Sequence, residues 1–388
     1  MTQKDFADLR RRLQPDKRGA SIIRGCYVDP TGKVLTSFKE NVGLIPQSEY
    51  EKYMVLFKKV LTGVSGQNLI DVTVPSEDPT NAAYHRLSGL CASELEDDGI
   101  AEELFNVIIS AHIKETGDLS QSVEELKNAP NLLILLLYDS FDVAYRHPDG
   151  TEEIAMSEAV FNYCLCAVCP VKQGKESLSY SESEGSFIAR PADWSVTAPE
   201  LGFLYPAYES GSMDISTAVL YTKDAANAHD DFLHDVFDFE PIMPAPQQSE
   251  VIGDILQVTL QDECSMEVVQ AVTESVSQRI QEQKEDKHAE PARITYQDVS
   301  GVLSECGVSE DKVQAFTESF QQAFGEKPLP AVNVIPTREF KVSTPSVQIK
   351  VAPAHADLVT TRVIDGQRYI LILADGNVEV NGVGIAIQ

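Results

Sequence analysis

The sequence lacks the long apolar segments that anchor a chain in a membrane. A bilayer crossing takes about 18–20 consecutive apolar residues, whereas the densest apolar run here, Leu132–Tyr138, is much shorter. Residues 1–20 are polar and have no apolar core of the kind that a signal peptide requires. We therefore expect a protein that neither spans a membrane nor is secreted.

Basic residues are scarce. The chain has 31 Lys and Arg against 60 Asp and Glu, and its formal net charge is −29. Because binding to phosphate groups requires a basic surface, nucleic acids and anionic membranes are not expected partners. A solvated first helix, or its docking on an acidic neighbour, explains the few clustered cations better than a phosphate site does. These cations are Arg10, Arg11, Arg12, Lys17, Arg18 and Arg24.

Cysteine is infrequent, and its seven occurrences form no disulfide framework. An odd number of cysteines in a long chain, without regular spacing, is atypical of disulfide-rich secreted proteins. Cys91, Cys164, Cys166 and Cys169 lie in or near apolar segments, which favours buried free thiols. These features indicate a reducing compartment, and we expect a cytoplasmic protein.

The motifs of the commonest enzymes are missing as well. The chain contains no H-E-x-x-H, no G-x-S-x-G, no Walker-type phosphate loop and no G-x-G-x-x-G. Their absence excludes the commonest nucleotide-binding and acyl-transfer machinery. It does not exclude an enzyme of an unfamiliar type.

Two apolar runs, Leu132–Tyr138 and Val160–Cys169, predict the centre of the fold. Continuous apolarity is typical of strands that are covered on both faces, so we expect two neighbouring buried strands. A buried helix is the alternative for the first run. That run is short for a helix and begins just after Pro130, which favours the strand.

The chain around these runs alternates helical and strand patterns. Thr2 and Asp5 resemble a helix capping box, and Asp29–Gly32 has the residues of a hairpin turn. The segment Lys172–Pro199, rich in Ser, Glu, Gly and Pro, predicts a long loop with short strands. Further predicted elements are helices at Thr80–Leu95, Ile100–Lys114, Ser120–Lys127 and Ala225–Val236, and strands at Asn68–Val74, Gly202–Tyr205 and Ile215–Tyr221.

Three prolines in Phe239–Gln248 predict a domain boundary. Residues 249–328 then show helical periodicity, and Ser309 is placed to cap the last helix. One helix of this segment has a predicted apolar stripe of Val268, Val269, Val272, Val276 and Ile280.

From Val332 onward the apolar pattern alternates instead. Asp365-Gly366, Asp375-Gly376 and Asn381-Gly382 separate β-branched runs as hairpin turns do. We expect an α+β protein with three parts. They are residues 1–240 with a mixed or mainly antiparallel sheet and covering helices, a helical middle segment at 249–328, and a small all-β module of four to six strands at 331–388.

Several phrases of the sequence are similar to those of one bacterial family. They are Arg24–Val28, Tyr163–Val171, Asp193-Trp194, Gly202–Ala207, Thr361–Gly366 and Val378–Gly382. On these phrases the chain resembles the family called domain of unknown function 4317, and the likeness covers nearly the whole length. Since that family has no assigned activity, the resemblance implies only a cytoplasmic bacterial protein whose full length is one conserved unit.

The spacing Cys164-x-Cys166-x-x-Cys169 is the first candidate for chemistry, since three thiolates can hold zinc or an iron–sulfur cluster. On a strand, however, Cys164 and Cys166 point to one face and Cys169 to the other. His147, across the connection, is too far along the chain to be a nearby fourth ligand. Apolar surroundings also make thiols inert, so we expect a structural role, no metal and no cofactor.

Asp139 and Asp142 end the first central strand. Carboxylates in this position can bind a divalent cation or act as acid and base. They converge only if the chain turns at Ser140-Phe141, because an offset of three residues places them on opposite faces of a continuing strand. Turn hydrogen bonds, or a pair with Arg146, are the favoured explanation.

Arg190, Asp193 and Trp194 form the most site-like group. A lone tryptophan beside an arginine and an aspartate on a loop can form a recognition patch. The alternative, which we favour, is that Trp194 fills the edge of the core while Asp193 pairs with Arg190. Asp214 joins this neighbourhood if the strand order brings the two segments together.

Three functions remain open. The leading hypothesis is a non-enzymatic interaction or assembly protein, which binds a protein partner or itself through helices or C-terminal strands, because strand edges need covering. The second is a metal-assisted hydrolase that uses Asp139, Asp142, Asp193 and Asp214. The third is a nucleoid-associated protein, which the net charge disfavours.

Overall fold

The computed structural model describes residues 1–14, 22–116, 129–142, 145–146, 152–153, 160–190, 192–209, 212–286, 288–335, 339–374, 376, 378–380 and 382–386. The chain divides into two compact units, Met1–Pro244 and Ala245–Gln388. The three-part division at 1–240, 249–328 and 331–388 stays a prediction. Sequence predictions that lie outside the described residues concern the helix Ser120–Lys127, Lys17, Arg18, His147, Asp375 and Asn381.

The first unit contains five helices among its described residues. They are α1 (Gln3–Arg12), α2 (Gln47–Val60), α3 (Ala82–Ala92), α4 (Asp98–Thr116) and α5 (Asp230–Phe237). Its strands are β1 (Ile22–Val28), β2 (Val34–Asn41), β3 (Leu69–Thr73), β4 (Asn131–Asp142), β5 (Tyr145–Arg146), β6 (Glu152–Glu153), β7 (Val160–Gln173), β8 (Ser177–Ser181), β9 (Ser186–Arg190), β10 (Trp194–Val196), β11 (Leu201–Tyr205), β12 (Ala207–Glu209), β13 (Ser212–Asp214) and β14 (Thr217–Thr222).

The main sheet has the strand order β2-β1-β4-β7-β11-β14-β3, and each neighbouring pair on this path is antiparallel. Strands β4 and β7 lie side by side, with Leu135 opposite Ala167 and Leu137 opposite Leu165. The two apolar runs are therefore adjacent central strands, as predicted. The α+β class with a mainly antiparallel sheet is confirmed, and the helical alternative for the first run is wrong.

Side chains of β4 alternate between two apolar cores. Ile134 and Leu136 belong to the core that α3, α4 and α5 cover, whereas Leu135 and Leu137 belong to the core that α1 and α2 cover. This arrangement explains the continuous apolarity, because consecutive residues face different dry layers. Each buried leucine or isoleucine contributes roughly 1.5–3 kcal/mol, so these strands stabilise both layers.

Local signals at the N-terminal end are also confirmed. The Thr2 hydroxyl accepts the backbone N–H of Asp5, whose carboxylate accepts the backbone N–H of Thr2, so the capping box is present.

The helix predicted from Ala225 begins only at Asp230, which corrects the prediction. The carboxylate of Asp224 and the side chain of Asn227 accept backbone hydrogen bonds and hold turns before the helix.

The second unit begins with helices. They are α6 (Ala245–Leu260), α7 (Met266–Glu285), α8 (Tyr296–Glu305), α9 (Glu310–Phe324) and α10 (Ala331–Val334). The predicted stripe on α7 is buried except at Val269, which is exposed, so its inclusion was wrong. Ser309 stands at the predicted cap position of α9, but its hydroxyl donates to the Glu263 carboxylate instead of capping the helix.

The second unit ends in short strands. They are β15 (Arg293–Ile294), β16 (Leu329–Pro330), β17 (Phe340–Ser343), β18 (Gln348–Val351), β19 (Val359–Ile364), β20 (Gln367–Ile372), β21 (Val378–Val380) and β22 (Val383–Ile385), and they pair two by two. The predicted turn at Asp365-Gly366 joins β19 to β20, with both residues at positive φ.

In the described part of the chain, no helix combines the length and apolarity of a membrane span.

Candidate functional site

Asp139, one of the four candidate carboxylates of the sequence analysis, is buried near the end of β4. It lies opposite Tyr163 of β7, whose hydroxyl donates to Oδ2 of Asp139 at 2.6 Å. The other oxygen, Oδ1, accepts the backbone N–H of Ser140 at 2.8 Å. Burial, together with the neighbouring Asp139, raises the pKa of Tyr163 well above its ordinary value. The tyrosine therefore stays a neutral donor to the carboxylate.

Arg12 at the end of α1 completes this network. Its Nε atom lies 3.5 Å from Oδ2 of Asp139, and its Nη2 donates to the carbonyl oxygen of Ser140 at 3.3 Å. The guanidinium carbon lies 4.1 Å from the centre of the Phe141 ring, which is cation–π geometry. Through these contacts, Arg12 joins α1 to β4 of the sheet. Both oxygens of the Asp139 carboxylate are bonded within the protein.

The other two carboxylates at this end of the sheet have separate surroundings. Asp142 is exposed at the end of β4, opposite Val160. Asp214 accepts hydrogen bonds from the backbone N–H and the hydroxyl of Ser216, at 2.9 and 2.6 Å. Burial alone would raise the pKa of Asp214, but these hydrogen bonds outweigh it and lower the pKa.

Asp193 lies beside the other end of β7, where its carbonyl oxygen accepts the backbone N–H of Gly174. It precedes Trp194, which lies opposite Gln173, whereas Asp139 lies opposite Tyr163. At about 3.3 Å per residue, the length of β7 between these two register positions is roughly 33 Å. The predicted carboxylates therefore do not converge, and the described residues contain no group of three or more His, Cys, Asp or Glu that could hold a metal ion.

Trp194 is 50% exposed on β10. The interpretation that it fills the edge of the core is therefore wrong, because nothing in the described residues covers β10 fully. Arg190 pairs through its backbone with Ser177, while its side chain lies outside the described part, as does that of Arg146. The recognition patch of Arg190, Asp193 and Trp194 stays a prediction.

The three central cysteines lie inside the two cores. Cys164 and Cys166 belong to one core and Cys169 to the other, as the strand period predicted. Burial raises the pKa of Cys169 to about 12, and it raises those of Cys164 and Cys166 well above their ordinary range. The sulfur of Cys91 lies 3.4 Å from that of Cys164, a contact that the sequence did not indicate.

A hydroxyl, an imidazole and a carboxylate form a hydrogen-bonded chain between α4 and α5. The Nε2 atom of His229 lies 3.2 Å from Oγ1 of Thr222, and its Nδ1 lies 3.0 Å from Oε2 of Glu115. This order is that of a hydrolase triad, but Thr222 is fully buried and donates to the carbonyl of Asp224. Glu115 also accepts the backbone N–H of Phe232, so the chain connects the two helices.

A cleft of about 550 Å³ opens where α3, α4 and α5 meet. Arg86 lines it and donates to the Glu103 carboxylate at 3.2 Å and to the carbonyl of Asp235 at 2.8 Å. Burial alone would raise the pKa of Asp235, but hydrogen bonds from Lys114 and His234 outweigh it and lower the pKa. Through these two bonds, Arg86 of α3 links its helix to α4 and α5.

The strand pair beyond β7 differs from these internal networks because it is exposed. Strands β7 and β10 separate after the Gln173–Trp194 pair, and β8 and β9 then pair with each other. We call residues Lys172–Trp194 the arm. Every described side chain from Lys172 to Ala189 is exposed or partly exposed, and no described residue of the arm belongs to either core.

One face of the arm is apolar. Directly opposite residues of an antiparallel pair share a face, which places Leu178 with Ala189 and Tyr180 with Phe187. Leu178, Tyr180 and Phe187 are 74%, 58% and 71% exposed. The other face carries the serines of β8 together with Ile188, which lies opposite Ser179 and is 39% exposed. The arm therefore has one mainly apolar face and one mainly polar face, and neither core includes its described residues.

Fold and surface together define an α+β protein with an antiparallel core sheet and exposed strand pairs. The chain belongs to the family described as domain of unknown function (DUF4317), whose model matches residues 1–383. The resemblance of the sequence phrases is thereby confirmed over nearly the whole chain. No curated protein and no solved structure matches it.

Proposed function

We propose that the protein is a non-enzymatic assembly protein that binds a protein partner through the apolar face of the arm. The exposure of Leu178, Tyr180 and Phe187 on one face supports this proposal. Exposed apolar patches with a polar rim mark protein contacts, and aromatic side chains are enriched at the centre of interfaces. The partner is a protein, since a chain with a net charge of −29 repels nucleic acid and anionic lipid.

The strand pairs of the second unit provide further support. Val363, Leu373 and Val383 are exposed on or next to β19–β20 and β21–β22. Two-stranded pairs present unpaired backbone groups at their edges, and such edges pair readily with another chain. Both units therefore carry strand surfaces suited to protein contacts.

A cytoplasmic location is part of the proposal. All seven cysteines are free thiols, which is the usual state in a reducing compartment. The metal-assisted hydrolase remains the alternative, but Asp139 on β4 and Asp193 before β10 lie beside opposite ends of β7, so no specific observation favours it.

Photo-crosslinking in living cells tests the proposed function. A benzophenone amino acid replaces Phe187 on the arm, and in a matched control it replaces Leu44, a solitary exposed side chain of the same unit that is 86% exposed. We expect a discrete protein adduct from position 187 alone, whose cross-linked peptide mass spectrometry identifies, and we expect Leu178→Ser to abolish it. Equal labelling at both positions, or none at 187, would contradict the proposal.

A further inference from the structure

The geometry points to a second copy of this chain as the partner of the arm. Two arms pack apolar face on apolar face and run antiparallel, so that the tip of each lies over the base of the other. This inference rests on the proposed function and names its partner. The arrangement is isologous, as in most symmetric dimers, because each copy contributes the same surface.

The exposed apolar area of the arm suits a small and reversible contact. At roughly 200 Å² for an aromatic residue, the exposed fractions leave roughly 260 Å² on Tyr180 and Phe187 together. A standard interface buries about 800 Å² from each partner, so the two rings supply about a third of that area and the polar side chains around them supply the rest. The apolar centre is small, so we expect an interface at the lower end of the size range and a dimer that dissociates on dilution.

Charges along the arm are complementary between its two ends. The tip, between β8 and β9, carries Glu182 and Glu184, both exposed. The base carries Lys172 and Lys175, also exposed. The sequence of the base adds one further cation and two acids, namely Arg190, Glu176 and Asp193. The tip is therefore acidic and the base has an excess of cations.

This polarity selects an antiparallel pairing of two identical arms. In a parallel pairing, the two acidic tips would lie together and repel. In the antiparallel pairing, each tip with its two glutamates faces a base whose three cations and two acids leave a net charge of about +1. This contact occurs twice in the dimer. The arm is also nearly neutral within a chain of net charge −29, so two copies that meet there approach with little of their mutual repulsion.

Charge-reversal variants of the full chain test the inference directly. The tip variant carries Glu182→Lys and Glu184→Lys, and the base variant carries Lys172→Glu and Lys175→Glu. Because all four side chains are exposed, their replacement leaves the fold intact, which circular dichroism and thermal melts check. We expect each variant alone to raise the dissociation constant of the dimer about tenfold or more, because attraction becomes repulsion at both ends.

Recombining the reversed charges then separates pairing from any structural effect. A chain that carries all four substitutions should regain the dimer, since its basic tip faces an acidic base. An equimolar mixture of the tip variant and the base variant should form a heterodimer in native mass spectrometry, and Leu44→Ser should behave as the wild type. A wild type that stays monomeric, or a dimer that is insensitive to the reversals, would overturn the inference.

The two proposals fail separately. If the wild type is monomeric but Phe187 still gives an adduct with a different protein in cells, self-pairing is wrong and the assembly function stands. If the position-187 adduct is absent and the purified chain is monomeric, both are wrong.

Discussion

Tyr180 and Phe187 lie directly opposite each other across the β8–β9 pair, with ring centroids 5.5 Å apart and planes at 64°. This edge-to-face geometry is the one that aromatic pairs prefer. In this protein the pair is built at the surface, where both rings remain exposed. A pair of aromatic rings in contact outside either core of the first unit is the feature on which the proposed assembly function depends.

Replacing both rings should leave the fold nearly unchanged. We expect Tyr180→Ser with Phe187→Ser to lower the free energy of unfolding by about 1 kcal/mol or less, because only a cross-strand pair is lost and no core cavity forms. Urea denaturation of the double variant against the wild type measures this, with Leu44→Ser as a matched exposed control. A loss of several kcal/mol would show that the arm is a structural part of the first unit and contradict its assignment as an interface.

Asp139 should matter for stability. Removing it leaves the Arg12 guanidinium without its carboxylate partner and Tyr163 without its acceptor, so we expect Asp139→Ala to lower the free energy of unfolding by about 3 kcal/mol. Tyr163→Phe should cost about 1–2 kcal/mol. Denaturant titration measures both.

The exposed Asp142 offers a control on the same strand. Its replacement by alanine should change the free energy of unfolding by about 0.5 kcal/mol or less. If Asp139→Ala instead stabilised the protein, the carboxylate would be held at a cost to the fold, as functional groups often are, and the structural interpretation would be wrong.

The stability of the first unit should fall as the pH drops below 6.5, in part through His112. Burial lowers the pKa of His112 below its ordinary value of 6.5, while Glu115 and Glu200 partly oppose the shift. In that window the unfolded chain binds a proton that the folded chain does not, so stability decreases with decreasing pH. Thermal melts from pH 7.5 to 5.5 should show a smaller decrease for His112→Gln than for the wild type. An unchanged slope would contradict this assignment.

The buried thiols should resist modification until the protein unfolds. Burial raises the pKa values of Cys164, Cys166 and Cys169, and the reactive form of a thiol is the thiolate. With a colorimetric disulfide reagent at pH 8, the exposed Cys306 should react at once, and these three should react only in guanidinium. Fast reaction of the three in the native protein would reopen the metal or redox interpretation of their spacing.

The sequence predicted the central strands because their signal does not depend on distant residues. Continuous apolarity over Leu132–Tyr138 and Val160–Cys169 requires two dry faces wherever the strands lie in the sheet. The capping box at Thr2 and the turn at Asp365-Gly366 are likewise local. Each is fixed by side chains a few residues apart, and each appears as predicted.

Features that depend on pairing between distant segments were not predictable. The partner of Asp139 is Arg12, which lies far away along the chain, and the contact between Cys91 and Cys164 depends on how α3 crosses β7. The linkage from Glu115 to His229 likewise joins two helices that are distant in sequence. No residue spacing encodes such contacts.

The arm was predicted as a loop with short strands because of its serine, glutamate and glycine content. An alternating pattern is nevertheless present in its first strand, where Leu178 and Tyr180 lie between serines, whereas the second strand has the consecutive apolar residues Phe187, Ile188 and Ala189. Whether such an apolar face is buried or exposed depends on what covers it. For the same reason, the sequence analysis wrongly placed Trp194 at the edge of the core, although its side chain is half exposed.

Sedimentation equilibrium of the purified wild type against Phe187→Ser tests whether the arm joins two copies of the chain. The wild type should approach twice the mass of one chain at roughly 100 µM and fall toward a single mass on dilution, as a dissociation constant in the micromolar range requires. Phe187→Ser should stay at the single mass throughout. A wild type with the mass of one chain at every concentration, or a Phe187→Ser variant that dimerises equally well, would contradict the account.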